Sequence, residues 1–82
     1  MLEIRWVLAK VVADYLTAVV PGGWLSVTAV PSPVDPPTQF FWAVMHGSAI
    51  DYTTVATGYE NGLELAKWQA VSAYRSQPWA ER

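Results

Sequence analysis

The first twenty residues carry a pattern of apolar and polar positions that favours a helix. Apolar side chains recur at spacings of three and four residues, with polar side chains on the opposite side. The apolar stripe consists of Ile4, Leu8, Val11, Val12, Tyr15, Leu16 and Val19, and the polar side of Glu3, Lys10, Asp14 and Thr17. We therefore expect a helix over residues 2–20, ended by Pro21-Gly22-Gly23.

The start of the chain also fits a strand, because Leu2, Ile4 and Trp6 alternate with Glu3 and Arg5. The helix is preferred since its apolar register continues for several turns beyond this point. The sequence leaves open whether the first residues are helix or strand.

Three later stretches have the composition and alternation of β-strands and are bounded by turn residues. They cover residues 24–30, 38–46 and 49–57. The segment Pro31–Pro37 contains four prolines, which favour an extended connection between the first two strands. A stiff loop is the preferred interpretation of this segment, and a ligand for a proline-binding domain is the alternative.

Gly47-Ser48 is expected to form the two-residue turn between the last two strands. In that register one face is the better core face, because it lacks charges. It combines Leu25, Val27 and Ala29 with Phe41, Ala43, Met45, Ile50, Tyr52 and Thr54. The other face, expected to be open, carries Trp24, Phe40, Trp42, Val44 and His46 beside Ala49, Asp51, Thr53 and Val55. A slip of one residue would exchange the two faces.

Residues 63–76 have the period of a helix with one alanine-rich side. Asn61 is expected to cap its N-terminus, with Glu64 three residues further on as in a capping box. The stripe expected to face the sheet consists of Leu63, Ala66, Ala70, Ala73 and Tyr74, which leaves Leu65, Trp68 and Val71 outside it.

This order of elements predicts a single α+β domain over residues 1–82. The expected architecture has two layers, α-β-β-β-α, with a three-stranded antiparallel sheet and both helices packed on one face. The other face of the sheet would stay open.

The composition narrows the choice of partners. The net charge is −2, the pI is about 5.0, and only 15% of the residues are charged against 52% that are hydrophobic. A phosphate-binding surface needs a basic patch, so nucleic acid is not an expected partner. The chain has no cysteine, and prolines and glycines interrupt its longest uncharged run. We therefore expect a cytoplasmic protein without a membrane partner.

Candidate chemistry is sparse. His46, Ser48 and Asp51 lie close together in sequence, but a nucleophile needs a base and an oxyanion hole in fixed geometry, and solvated turn residues are the preferred interpretation. A single histidine without cysteine matches no metal-ligand pattern. We therefore expect no catalytic residue, no metal and no cofactor, and a protein that is not an enzyme.

The aromatic residues give the strongest positive signal. Large rings are favoured anchors at interfaces, and this small chain has more of them than its interior is expected to hold. The residues predicted to bind a partner are Trp24, Phe40, Trp42 and Trp68. The partner would be another protein or a second copy of the chain.

The order helix, strand, strand, strand, helix is similar to that of double-stranded RNA-binding domains and of HicA-type toxins. In such a layout the last helix would present Lys67 and Arg75, and the resemblance implies nucleic-acid binding. This is the alternative function, and a small homodimeric enzyme that uses His46 and Asp51 is a third.

The stretch Val55-Ala56-Thr57-Gly58-Tyr59, followed by an alanine-rich helix in a short acidic chain without cysteine, resembles small accessory proteins of phages and mobile elements, including anti-CRISPR proteins. That resemblance implies a protein that binds and blocks a host machine. Together with the exposed aromatic surface, it favours a non-enzymatic protein-binding module, in particular a phage-encoded inhibitor of a host nucleic-acid-processing complex.

Overall fold

The computed structural model describes residues 3–9, 15–30 and 39–80, which form one antiparallel sheet with a helix packed on one face. The side chains of Ala9 and Tyr15 are outside this description. The sheet follows chain order, β1-β2-β3-β4-β5. Its elements are β1 (Val7–Ala9), β2 (Tyr15–Val20), β3 (Gly23–Ala29), β4 (Phe40–Ser48), β5 (Asp51–Glu60) and α1 (Leu63–Arg75).

The predicted fold class is wrong, because the described residues contain five strands and one helix rather than three strands and two helices. Strands β1 and β2 lie where a helix over residues 2–20 was expected, and residues 10–14 fall outside the described part. The helix–strand–strand–strand–helix order shared with double-stranded RNA-binding domains is therefore not the order of this chain.

Two physical features explain the strands in the first segment. Its apolar positions are rich in valine, whose branched side chain favours a pleated strand over a helix. Pro21-Gly22 forms a hairpin turn, with Val20 opposite Gly23, instead of ending a helix. Gly22 has a φ of 87°, close to the value of about +80° that a type II turn requires after a proline.

The predicted strands over residues 24–30, 38–46 and 49–57 correspond to β3, β4 and β5 with shifted ends. The turn between β4 and β5 is Ala49-Ile50 rather than Gly47-Ser48, since Ser48 pairs with Asp51. Gly47 instead lies in the strand, where a Cβ atom would come 2.4 Å from the carbonyl oxygen of Asp51. The segment Pro31–Pro37 lies outside the described residues.

The alanine-rich helix is confirmed, and it ends at Arg75. Its buried residues, Ala66, Ala70 and Tyr74, belong to the predicted stripe. Small alanine side chains let the helix lie close to β3, β4 and β5, which it contacts. The predicted cap is not formed, because Gly62 with a φ of 137° occupies the N-cap position and no side chain caps the helix.

The helix covers the face of the sheet that carries Leu25, Val27 and Val44, all with no exposed surface. Phe40 and Trp42 pack in the same core, between the sheet and α1. The predicted assignment of β4 to the two faces is therefore wrong. Leu25 pairs with Val44 and Val27 with Trp42, so Phe41, Ala43 and Met45 point to the opposite face.

Trp42 lies flat over the glycine of the neighbouring strand. It pairs with Gly58, and a Cβ atom at that glycine would come 2.6 Å from the indole ring. The indole nitrogen is buried and has no hydrogen-bond partner among the described residues. Gly58 thus provides the space that a large ring needs beneath the helix.

None of the described residues belongs to a helix that is long and apolar enough to cross a membrane.

We expect Gly58→Ala to lower the free energy of unfolding by about 1–3 kcal/mol, because the added methyl group overpacks the core against Trp42. Urea denaturation at equilibrium measures this change. Thr57→Ala is the matched control, since Thr57 is the exposed neighbour, and we expect a change within about 0.5 kcal/mol. Equal stability of the two variants would contradict the observed position of Trp42.

Candidate functional site

The four residues predicted to bind a partner are not brought together. Trp24 lies on the face of the sheet that α1 does not cover, and we call this the open face. Trp68 lies on the outer side of α1 and is 65% exposed. Phe40 and Trp42 pack beneath the helix. Only Trp24 and Trp68 of this set are therefore available to a partner in this conformation.

A row of small side chains crosses the middle of the open face. Thr17 pairs with Ser26, Ser26 with Ala43 and Ala43 with Thr57, so the row runs across β2, β3, β4 and β5. Ser26 and Ala43 are only 6% and 4% exposed, although no described element packs over them. Larger neighbouring side chains must therefore shield these two central residues. We call the whole row the floor.

Aromatic pairs rise on both sides of the floor. The rings of Trp24 and Tyr52 meet edge to face with centroids 4.9 Å apart, and those of Phe41 and Tyr59 lie 5.1 Å apart at 56°. The floor and the two ring pairs define a feature that we call the aromatic trough. Its central part is a groove of about 340 Å³. The groove is lined by Trp24, Ser26, Thr28, Phe41, Ala43, Met45, Tyr52 and Thr54.

A β-bulge brings both tyrosines to this face. Val44 pairs with Ala56 and Met45 with Thr54, which leaves Val55 as an extra residue in β5. Tyr59 lies seven positions after Tyr52, an odd spacing, so in a regular strand the two side chains would point to opposite faces. The extra residue resets the alternation, and both rings reach the open face.

The trough is uncharged. None of the described residues that pair on the open face is Asp, Glu, Lys or Arg. Polar groups are present as the hydroxyls of Ser26, Thr28 and Thr54, the two tyrosine phenols and the indole N–H of Trp24. The arrangement can therefore stack rings on a ligand and form hydrogen bonds with it, but it offers no ionised group.

Most of this trough was missed in the sequence, because Phe41, Ala43, Met45, Tyr52 and Thr54 were assigned to the core face. One signal could have found it. Ser26 and Thr28 in β3 and Thr54 in β5 place hydroxyls on one face, which fits solvent better than a helix. Gly58, which lies opposite Trp42, indicates the same assignment of the two faces, because it provides space for a ring that packs beneath a helix.

Within the sequence cluster of His46, Ser48 and Asp51, the histidine makes structural contacts. Nδ1 of His46 lies 2.8 Å from the carbonyl oxygen of Gly22. A carbonyl only accepts, so Nδ1 is the donor. The imidazole also stacks on Trp79, with ring centroids 4.2 Å apart. No group of three or more potential metal ligands occurs within the described residues.

A second, smaller surface lies on the outer side of α1. A groove of about 240 Å³ is lined by Trp6, Glu64, Lys67, Trp68, Val71 and Arg75. The Nζ atom of Lys67 lies 3.2 Å from a carboxylate oxygen of Glu64 and 6.0 Å from the centre of the Trp6 ring. This surface therefore mixes both signs of charge, unlike the aromatic trough.

No family model matches the chain, and the searches of curated proteins and of solved structures also return no match. The functional argument therefore depends on the geometry and chemistry of the chain itself.

We expect His46 and Trp79 to be coupled in stability. In a double-mutant cycle of His46→Ala and Trp79→Ala, the stacked rings should give a coupling free energy of about 0.5–1 kcal/mol, at the low end for aromatic pairs because His46 is exposed. Equilibrium unfolding of the four proteins measures it. Additive effects of the two substitutions would show that the stack contributes nothing to stability.

Proposed function

We propose that the protein is a non-enzymatic protein-binding module whose aromatic trough takes up an uncharged segment of another protein. The observation that carries the proposal is a floor whose central residues, Ser26 and Ala43, are nearly buried. It lies between two ring pairs with exposed tyrosines, on a face that no described element covers. Such a groove offers apolar area together with a few polar groups that can fix the orientation of a ligand.

The rings of the trough have the properties of interface anchors. Tyr52 and Tyr59 are 53% and 59% exposed, although each already contacts another ring. Aromatic side chains bury a large area at a low cost in conformational entropy, and they dominate the binding energy of many interfaces. A partner that covers these rings would therefore gain apolar contact area without burying a charge.

The shape of the trough favours a single segment over a second copy stacked face to face. Two identical troughs would meet ring against ring and leave the two floors apart, which creates voids instead of close packing. A segment narrow enough to lie between the ring pairs can contact the floor. We therefore prefer another protein to a second copy as the partner at this face.

The charge distribution disfavours nucleic acid at the same face. Phosphate groups need cations, and the trough has none among the described residues. Of the described cations, Arg5 and Lys67 each lie near a carboxylate. The narrower sequence-based hypotheses, a phage-encoded inhibitor of a nucleic-acid-processing complex and a cytoplasmic location, stay predictions within this proposal.

A selection of displayed random peptides against the immobilised protein tests the proposal. We expect enriched peptides whose binding is weakened at least roughly tenfold by Trp24→Ala and by Tyr59→Ala, since each change removes part of one ring pair. Fluorescence anisotropy of labelled peptides measures the affinities.

Trp68→Ala is the matched control, because it removes an exposed tryptophan from the other side of the molecule. We expect it to leave peptide binding unchanged. Circular dichroism and urea denaturation check that each variant is folded. Peptides that bind all variants equally, or a selection that enriches none, would overturn the trough as a protein-binding site.

A further inference from the structure

We propose that the segment bound by the aromatic trough is proline-rich and adopts the polyproline II conformation. This inference rests on the proposed function, and it specifies the chemistry of the partner. It follows from three properties of the trough, namely its hydrogen-bonding groups, its dimensions and its paired rings.

The hydrogen-bonding groups suit a ligand that presents carbonyl oxygens. The rim and lining of the trough include the indole N–H of Trp24 and the phenol groups of Tyr52 and Tyr59. None of these three residues makes a side-chain hydrogen bond to another residue that the structure describes. A polyproline II helix has no internal hydrogen bonds, so its carbonyl groups are free to accept.

A proline-rich segment needs fewer hydrogen-bond acceptors from the trough than an ordinary extended peptide does. Each residue other than proline brings a backbone N–H, and burying that group without a partner costs free energy. Proline has no backbone N–H, so a proline-rich segment can lie on the floor of Ser26 and Ala43 without this cost. Its conformation is also largely fixed before binding, which reduces the entropy lost.

The dimensions fit a short segment. Phe41 and Met45, which flank the floor within β4, are about 13 Å apart along the strand. The floor row crosses four strands and therefore extends over about 14 Å at the usual spacing between strands. A polyproline II helix advances about 3.1 Å per residue, so about four or five residues fill the row.

The paired rings provide apolar walls for pyrrolidine rings. Grooves lined by aromatic side chains are a recurring means of binding polyproline II segments. The absence of charge from the described part of the trough matches a ligand whose contact residues are uncharged as well. Prolines that face the Trp24–Tyr52 and Phe41–Tyr59 pairs would be held between the two walls.

A length series of oligoproline peptides tests the inference. Acetylated and amidated peptides of about three, six and nine prolines are titrated into the full chain by isothermal calorimetry. We expect affinity to rise at least tenfold from the shortest to the middle peptide and then to level off, because three residues are too few to fill the floor row and six already exceed it. A Gly-Ser peptide of the middle length is the matched control, and it should bind at least tenfold more weakly.

Tyr52→Ala and Tyr59→Ala should each weaken binding of the middle peptide at least roughly fivefold, with Trp68→Ala unchanged. Both tyrosines are more than half exposed, so these variants are expected to fold. Equal affinity for the Gly-Ser peptide, absence of a length dependence, or loss of binding in Trp68→Ala would overturn the inference.

The outcomes separate this inference from the proposed function. If displayed peptides without proline bind in a manner that depends on Trp24, while oligoproline does not bind, the trough is a peptide site of different specificity. If the chain instead forms a dimer in sedimentation that Tyr59→Ala dissociates, a second copy is the occupant. Either result contradicts the proline-rich partner.

Discussion

The extra residue in β5 is the constraint on which both faces of the sheet depend. Before the bulge, Tyr52 and Thr54 point to the open face, and beyond it Thr57 and Tyr59 do so. On the other face, Val55 and Ala56 both pack against the core beneath α1, as expected at a bulge. One insertion thus aligns Gly58 with Trp42 and also brings the second tyrosine to the trough.

Local sequence signals agree with one another in the helix and conflict in the N-terminal strands, so only the helix could be predicted. The stripe of Ala66, Ala70 and Tyr74 has a helical period and strong local propensity, so pattern and structure agree. In the first segment the spacing of apolar residues fits a helix, whereas the valine content and the Pro21-Gly22 turn fit a hairpin. Periodicity favoured the wrong element there, because the apolar stripe included Leu8 and Val19, which the structure leaves more than half exposed.

The two faces of β4 could not be distinguished by hydrophobicity. Phe40, Trp42 and Val44 alternate with Phe41, Ala43 and Met45, and both sets are apolar. The choice is made by neighbours that lie far away in sequence. Trp42 needs Gly58 beneath its ring, and Phe41 needs Tyr59 beside it, and both pairings require the bulge. A hairpin register inferred from the turn alone has no access to this information.

The distribution of the five tryptophans follows from the same geometry. Trp6, Trp42 and Trp79 pack against the core on the helix side, so a chain of this size does use part of its aromatic surplus for stability. Trp24 cannot join them, because its position in β3 is fixed by pairing with Met45 and directs it to the open face. There its ring meets that of Tyr52 edge to face, with the nearly buried residues Ser26 and Ala43 beside it.

Stability alone therefore does not explain the trough. A sheet face exposed only to solvent is well served by polar side chains along its whole length, as Thr17 and Thr57 illustrate at the ends of the floor row. Four rings around a small-residue floor expose apolar area that the fold does not need. A ligand that covers the rings would remove that area from water, and an uncharged segment would do so without leaving a buried charge unpaired.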